Sequence, residues 1–395
     1  MKRRVAIALV AAVFGTGLGA GWASAAETVK VAAFGPMSGP AAGWGKAIDR
    51  GVRTAAALIN EGGGLKIGTT TYTIEVVTGD TKCNGPEAVK VMNKLVFQDR
   101  IRFVVGPICS AEVLAMQTVT EPNQVLVIGN GYAKEILAAN KPFYFRGIEP
   151  SHERAPSVVA WLRKNRPEIK TVVTVAPNDA SGWSVTKDYE EPLGKAGLNL
   201  AAKEFYERGT TDFYPMLTRI KAKNADLIFS TGATPAEYAL VVKQARELGL
   251  KAVLGGHCGS VSDIGEFVRI AGPANAEGYL FCHWPDLKVT SPNPKAVRFM
   301  KKATALFGNE VVPGNDGIWY DAMNAMAHAM RKAGSLDPAK VRDALTTIPD
   351  WADGVMTSFK LGGKDYYGID RQAISHAFIV TIKQGEPVWL DQVRP

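Results

Sequence analysis

Phe103-Val-Val-Gly-Pro-Ile-Cys-Ser-Ala-Glu112 is the stretch whose reading decides the fold of this chain. Three apolar residues read as a buried strand, Gly-Pro ends it, and Ser110 opens a helical stretch as its N-cap. A strand that runs through a short turn into a helix is the repeating unit of a parallel sheet covered by helices. The turn also has chemistry. A helix beginning at residue 110 offers unpaired backbone N–H groups and the positive end of its dipole to an anion, and a carboxylate is the natural guest. By itself, a serine at such a turn is more often a cap than a binding residue.

The same rhythm runs outward in both directions. Residues 29–34 read as a strand, followed by the turn-rich Gly35-Pro-Met-Ser-Gly-Pro40 and a helix from about 43 to 60 with apolar residues on one stripe. A strand at 72–77, a helix at 86–98, the strand at 103–105 and a strand at 125–128 complete one α/β unit, which ends in Gly129-Asn-Gly131-Tyr132. From about residue 145 the pattern restarts, with helices near 151, 184, 212, 235 and 260 between strands at 171–176, 198–204, 226–230, 252–255 and 278–281. Three more helices and a late strand pair near 356–361 and 377–382 close the chain. At 395 residues, two domains are the default. Each loop singled out follows a strand, so the simplest architecture is a cleft between two α/β units, lined by loops around Trp44, Ser110, Asn130, Ser181, Thr234 and His257.

The first residues set the compartment. Lys2, Arg3 and Arg4 precede an apolar run and the small-residue pattern Ala23-Ser24-Ala25, so residues 1–25 read as a signal peptide cleaved near Ala25 or Ala26, and the mature protein is expected in the periplasm. With no cysteine at the cleavage site, a lipid anchor is not expected. The formal charge of +8 includes three basic residues of the signal, leaving +5 spread among acids without a basic run, which excludes nucleic acid as the expected partner. Four cysteines in an exported chain read as disulfides. Cys83 and Cys109 each follow a strand whose end could lie beside the other in a parallel sheet; Cys258 and Cys282 follow or end strand-like runs and suggest a second bridge.

Motifs for other chemistry fail on inspection. Gly129-Asn-Gly131 lacks the third glycine of a dinucleotide loop, and no Walker loop, Gly-x-Ser-x-Gly elbow or zincin helix occurs. His257-Cys258 and Cys282-His283 tempt a zinc reading, but neighbours on an extended strand point to opposite faces and would not converge on one ion. No metal and no cofactor is expected, and no nucleophile with its base is evident, so an exported hydrolase is the weakest reading. Trp44, flanked by Gly43 and Gly45, suits either a packing role or a stacking wall. Trp183 reads as packing, and Asn130 and Tyr132 bring donors to a strand end.

With these residues in place, residues 27–395 resemble periplasmic solute-binding proteins of the branched-chain amino acid (Leu/Ile/Val) family, which feed ABC importers. Gly35-Pro-Met-Ser-Gly-Pro40 with Trp44, Ile59-Asn-Glu-Gly-Gly63, Gly79-Asp80, Val105-Gly-Pro-Ile-Cys-Ser110, Arg146, Gly232 with Pro235, Ala245-Arg-Glu-Leu-Gly249, Ala276-Glu-Gly278 and Tyr320-Asp-Ala322 carry the resemblance together. It implies a type I periplasmic binding fold: two Rossmann-like α/β lobes joined by a three-strand hinge, closing on ligand. Lobe 1 would hold residues 27–147 and 283–363, and lobe 2 residues 148–282 and 364–395. It implies a bridge between Cys83 and Cys109 and a ligand carboxylate held by Ser110 with the backbone around it, Cys109 and Ala111 included. Asn130, Gly131 and Tyr132 would lie in the amino-acid backbone site, and the partners would be membrane permease and ATPase subunits, the protein itself being a monomer. A sensor with the same closure is an alternative.

The departures from the family pattern bear on the ligand. Where amino-acid binders carry an acid for the ligand ammonium, His257 stands here; Ser181 and Ala233 replace second-lobe tyrosines, and Tyr132 replaces a threonine. An ammonium in a dry cleft without a carboxylate partner is unfavourable by roughly several kcal/mol. The expected ligand is therefore a carboxylate without an amine, such as an aromatic acid, with a branched-chain or other hydrophobic amino acid as the alternative.

Overall fold

The computed structural model describes residues 27–148, 151–284, 293–348, 354–356, 360–374 and 377–393; the expected signal peptide lies outside them. The strands in chain order are β1 Glu27–Gly35, β2 Leu65–Ile67, β3 Thr70–Asp80, β4 Phe103–Val105, β5 Leu126–Gly129, β6 Tyr144–Arg146, β7 Thr171–Pro177 and β8 Asn199–Tyr206. They continue with β9 Leu227–Ser230, β10 Val253–Cys258, β11 Leu280–His283, β12 Lys360–Gly362, β13 Gln372–Ile374, β14 Ala377–Lys383 and β15 Glu386–Val393. Two sheets result, ordered β12-β13-β6-β5-β4-β1-β3-β2 and β15-β14-β11-β10-β9-β7-β8; the first has a parallel centre and antiparallel edges, and the second is parallel from β11 to β8 with one antiparallel edge at β14 and β15. This is the two-lobed α/β architecture expected from the alternating pattern.

Strand pleating explains why each sheet is covered on both faces. Along β1, Val31 and Ala33 face the helices Ala42–Glu61 and Pro313–Ala333, packing with Ile48, Val52, Trp319 and Met323. Ala32 and Phe34 face the opposite way, toward Met92, Val113 and Met116 of the helices Gly85–Asn93 and Ser110–Thr120. In the second sheet Val173 and Val175 meet Leu217 and Val242, while Val172 meets Val159, Leu162 and Tyr189. Each such large apolar side chain contributes about 1.5–3 kcal/mol on burial.

The chain passes between sheets three times: between Arg146 and the helix Ser151–Asn165, between His283 and the helix Pro294–Phe307, and between Ile374 and Ala377. The three late helices thus pack with first-lobe strands. The last passage falls after β13, which pairs with β6, and not at residue 364.

The late strand pair is corrected in another respect. Residues 360–362 pair with 372–374 in the first sheet, whereas 377–383 pairs with 386–393 in the second. Local turn chemistry decides the second pairing: Gln384 and Gly385 both have positive φ (53° and 81°), the backbone of a two-residue hairpin turn. Two short strands, β2 and β6, escape the sequence reading; β4, equally short, is marked by the Gly106-Pro107 turn and the helix after it.

Both disulfides are present, Cys83–Cys109 with a Cα separation of 5.6 Å and Cys258–Cys282 with 4.1 Å. The second links register partners on the adjacent parallel strands β10 and β11. The first does not join neighbouring strands, because β1 lies between β3 and β4. Its cysteines sit in the loops beyond the strand ends, where no ladder separates them. The second bridge also removes Cys258 and Cys282 from any zinc site.

Candidate functional site

The cleft is built at the ends of β1, β4 and β5 on one side and of β7, β9 and β10 on the other. Gly106, with φ +99°, lets β4 turn under β1: a Cβ there would lie 1.9 Å from the Phe34 carbonyl oxygen. The helix that follows is capped differently from expectation. Its N-cap is Cys109, and Ser110 is already the first helical residue. Glu112 reaches back, its Oε1 accepting from the N–H groups of Ile108 (3.0 Å) and Cys109 (2.7 Å). Burial pushes the Glu112 carboxyl up to about 7, against the hydrogen bonds from Thr81, Cys109 and Ile108.

Freed from capping, the Ser110 hydroxyl accepts from the N–H groups of Tyr132 (2.9 Å) and Ala133 (3.0 Å) and so ties two strand ends of the first lobe together. Its own N–H donates across the cleft to Ser181 Oγ at 3.2 Å. Ser181 opens the helix Ala180–Lys195, which Asp179 caps by accepting from the N–H groups of Ser181 and Gly182. Other hydrogen bonds also join the lobes. Trp44 Nε1 donates to Ser262 Oγ (3.0 Å), Ser184 Oγ to the Tyr132 carbonyl (3.2 Å), and the Tyr132 hydroxyl to the Cys258 carbonyl (3.5 Å).

Between these contacts runs a narrow slot lined by Trp44, Asn130, Gly131, Tyr132 and Ser181 from the expected set. The other lining residues, Ile108, Ile148, Gly232, Gly259, Ser262, Trp284 and Asn315, were missed by sequence reasoning. Ser262 and Trp284 lie within a few residues of the flagged cysteines, but Asn315 starts the helix Pro313–Ala333, far along the chain, with no local signal. Gly259 is required by geometry: at φ +78°, a Cβ would lie 2.6 Å from the Trp284 ring and 2.9 Å from the Tyr132 hydroxyl.

Several expected residues stand back from the slot. Cys109 is buried in its disulfide beside Trp44, and Ala111 is partly buried on the first helical turn without lining the slot. Ala233 faces the second-lobe core, its N–H donating to the Tyr238 hydroxyl, while the adjacent Gly232 reaches the slot. His257 is 1 % exposed and lies behind Tyr132, the two rings edge-to-face at 5.0 Å, with Nδ1 3.0 Å from the Tyr238 hydroxyl. Burial lowers its pKa to about 3, so it is a neutral imidazole that supports Tyr132. For His257, the β10–β11 ladder shifts register between Gly255 and Cys258, a change invisible in the sequence.

No aspartate or glutamate lines the inner slot among the described residues. Asp263 and Glu266 line an outer pocket that shares Trp44, Ser262 and Asn315 with the slot, so the Trp44–Ser262 hydrogen bond stands between them and its interior. The walls are aromatic (Trp44, Tyr132, Trp284), and the polar groups are hydroxyls, amides and backbone N–H. Such a site can hold and orient a small anion between two lobes.

The periplasmic binding protein family model matches residues 28–387, and the chain belongs to that family. Its sequence is 30 % identical to a leucine-, isoleucine-, valine-, threonine- and alanine-binding protein of Pseudomonas aeruginosa, over 82 % of this chain and 84 % of that one. It is 27 % identical to the Leu/Ile/Val-binding protein of Escherichia coli, over 80 % and 82 % of the two chains. The fold matches a leucine-binding protein of Thermotoga maritima with a TM-score of 0.81 at 22 % identity, covering 93 % of this chain and 99 % of that one. It also matches a Rhodopseudomonas palustris ABC-transporter solute-binding protein in complex with benzoate, with a TM-score of 0.77 at 20 % identity, covering 93 % and 97 %. The chain is thus a periplasmic-type binding protein of the branched-chain amino acid binding family with the type I two-lobed fold, and the family consists of substrate-binding proteins and not enzymes.

Proposed function

We propose that this protein is the periplasmic solute-binding component of an ABC importer whose ligand is a small carboxylate lacking an amine, an aromatic acid in particular. The observation that carries the reading is the inner slot itself, with aromatic walls and no acid side chain among its described lining residues. In this reading the carboxylate sits at the end of the slot beside Ile108 and Gly131, toward the N-terminus of the helix Ser110–Thr120, whose dipole favours an anion; Ser110 and Ala111 themselves do not line the slot. In the closed form Ser181 Oγ accepts from the Ser110 N–H, which leaves the Ser181 hydroxyl proton to donate to the carboxylate from the second lobe. The rings of Trp44, Tyr132 and Trp284 then flank the rest of the ligand. That the fold accommodates such a guest is supported by the benzoate complex of the Rhodopseudomonas palustris neighbour.

The named relatives favour a second reading, a branched-chain amino acid, which would need its ammonium met by Asp263 or Glu266 beyond Trp44. Calorimetric titration with leucine, isoleucine, valine, benzoate and cinnamate decides between them. Heat is expected from the acids alone; micromolar leucine binding without a response to the acids overturns the ligand assignment. Finding genes for two permeases and two ATPases beside this one would support the importer role over a sensor, and their absence would count against it.

A further inference from the structure

One group in the slot is left unused by the carboxylate reading. Asn130 is only 5 % exposed; its N–H donates to the Pro107 carbonyl, and its carbonyl accepts from the Tyr144 hydroxyl. Yet neither the oxygen nor the nitrogen of its side-chain amide has a hydrogen-bond partner among the described residues. Since both ends are unpartnered, interchanging them changes nothing in the argument. The amide lies on the hinge side of the slot: a Cβ built at Gly147, just past β6, would lie 3.6 Å from Oδ1, and Ile148 and Trp284 share the lining. A buried amide without partners is costly, so a native fold keeps one where something else completes it.

We propose that Asn130 reads a second, neutral polar group on the ligand, a hydroxyl, which makes the ligand class hydroxylated aromatic carboxylates. The proposal rests on the carboxylate reading above and narrows it. A hydroxyl can donate to Oδ1 and accept from Nδ2, matching both ends of the amide. A carboxylate matches only Nδ2 and leaves Oδ1 facing an anion. An ammonium matches only Oδ1 and brings a charge that no carboxylate of the inner slot neutralises. The division of labour is then spatial, with the acid group at Ser181 and the N-terminal end of the helix Ser110–Thr120, the ring between Trp44, Tyr132 and Trp284, and the hydroxyl at Asn130.

The test is calorimetric titration of the mature protein with benzoate and its 2-, 3- and 4-hydroxy derivatives, and with cinnamate and 4-hydroxycinnamate, leucine serving as a control. In the wild type at least one hydroxylated acid should bind roughly tenfold or more tighter than its parent. In Asn130→Leu, close in volume but without polar atoms, that ratio should collapse to within about twofold. Should this variant fail to fold by circular dichroism, Asn130→Ala is read by the same ratio. Equal affinities for parent and hydroxylated acids in the wild type overturn the proposal and leave the carboxylate reading standing; that is the result if Asn130 serves an ordered water. A hydroxyl advantage that survives in the variants also overturns it. Heat from leucine and from none of the acids overturns both readings together.

Discussion

Ser184→Ala probes lobe closure without touching the slot. Ser184 lies on the helix Ala180–Lys195 of the second lobe, and its hydroxyl donates to the Tyr132 carbonyl of the first lobe at 3.2 Å; it is not among the slot's lining residues. The contact exists only while the lobes meet, so alanine withdraws one hydrogen bond from the closed form and none from an open one. A hydrogen bond of this kind contributes about 0.5–1.5 kcal/mol net, which corresponds to a factor of roughly 2–12 in the ratio of closed to open forms. For a protein that is mainly open before binding, the apparent dissociation constant rises by the same factor, because affinity scales with the competent fraction. Calorimetry on wild type and variant reads that factor directly. X-ray scattering should still show compaction at saturating ligand, and thermal unfolding of the ligand-free variant should move little, since the bond lies between lobes and not within a core. Unchanged or tighter affinity in Ser184→Ala, with compaction also unchanged, refutes the reasoning that this contact helps to hold the closed form.

His257 should make the protein acid-sensitive. Its pKa is lowered from 6.5 to about 3 by burial, so the unfolded chain takes up a proton that the folded one refuses; stability is fully present above pH 6.5 and is lost as pH falls toward 3, by up to about 1.4 kcal/mol per pH unit. Denaturant unfolding at pH 7.5 and 4.5 should show His257→Gln losing less than the wild type over that interval, and parallel losses would contradict the buried neutral imidazole. Removing the inter-strand bridge with Cys258→Ser and Cys282→Ser together should cost about 3–4 kcal/mol, given a separation of 24 residues, read as a lower denaturation midpoint. Arg50 holds Asp316 through two hydrogen bonds of 2.8 Å, both side chains being buried. Asp316→Ala strands the guanidinium and should destabilise by about 3–5 kcal/mol, whereas a loss below 1 kcal/mol would show that Arg50 finds another partner.

Much of the fold was legible because it rests on local physics. The strand at 103–105 and the helix at 151–165 end where expected. The strand at 171 is found one residue longer than expected. In each, apolar periodicity and a Gly, Pro or Ser boundary agree. β2 and β6 are no shorter than β4, but neither is followed by a Gly-Pro turn into a helix like the one at Gly106-Pro107 that marks β4. The late strands were paired wrongly because pairing is a long-range choice, here decided by the turn at Gln384 and Gly385 and by the place of residues 360–374 beside β6.

For the site, the sequence by itself determined the strand-end loops and put five residues of the slot on them, since loops after parallel strands must gather at one end of the sheet; it suggested the two cysteine pairs without fixing the Cys258–Cys282 bridge. Only the tertiary structure decided the rest. It moved the helix cap from Ser110 to Cys109 and gave the Ser110 hydroxyl to the next loop. It placed His257 behind Tyr132 and turned Ala233 inward. It also brought Trp284 and Asn315 to the slot from helix and strand ends remote in the chain. The physical reason is that facing is set by register: one shifted residue on a strand, as between Gly255 and Cys258, exchanges the side chain that meets the ligand for the one that meets the core.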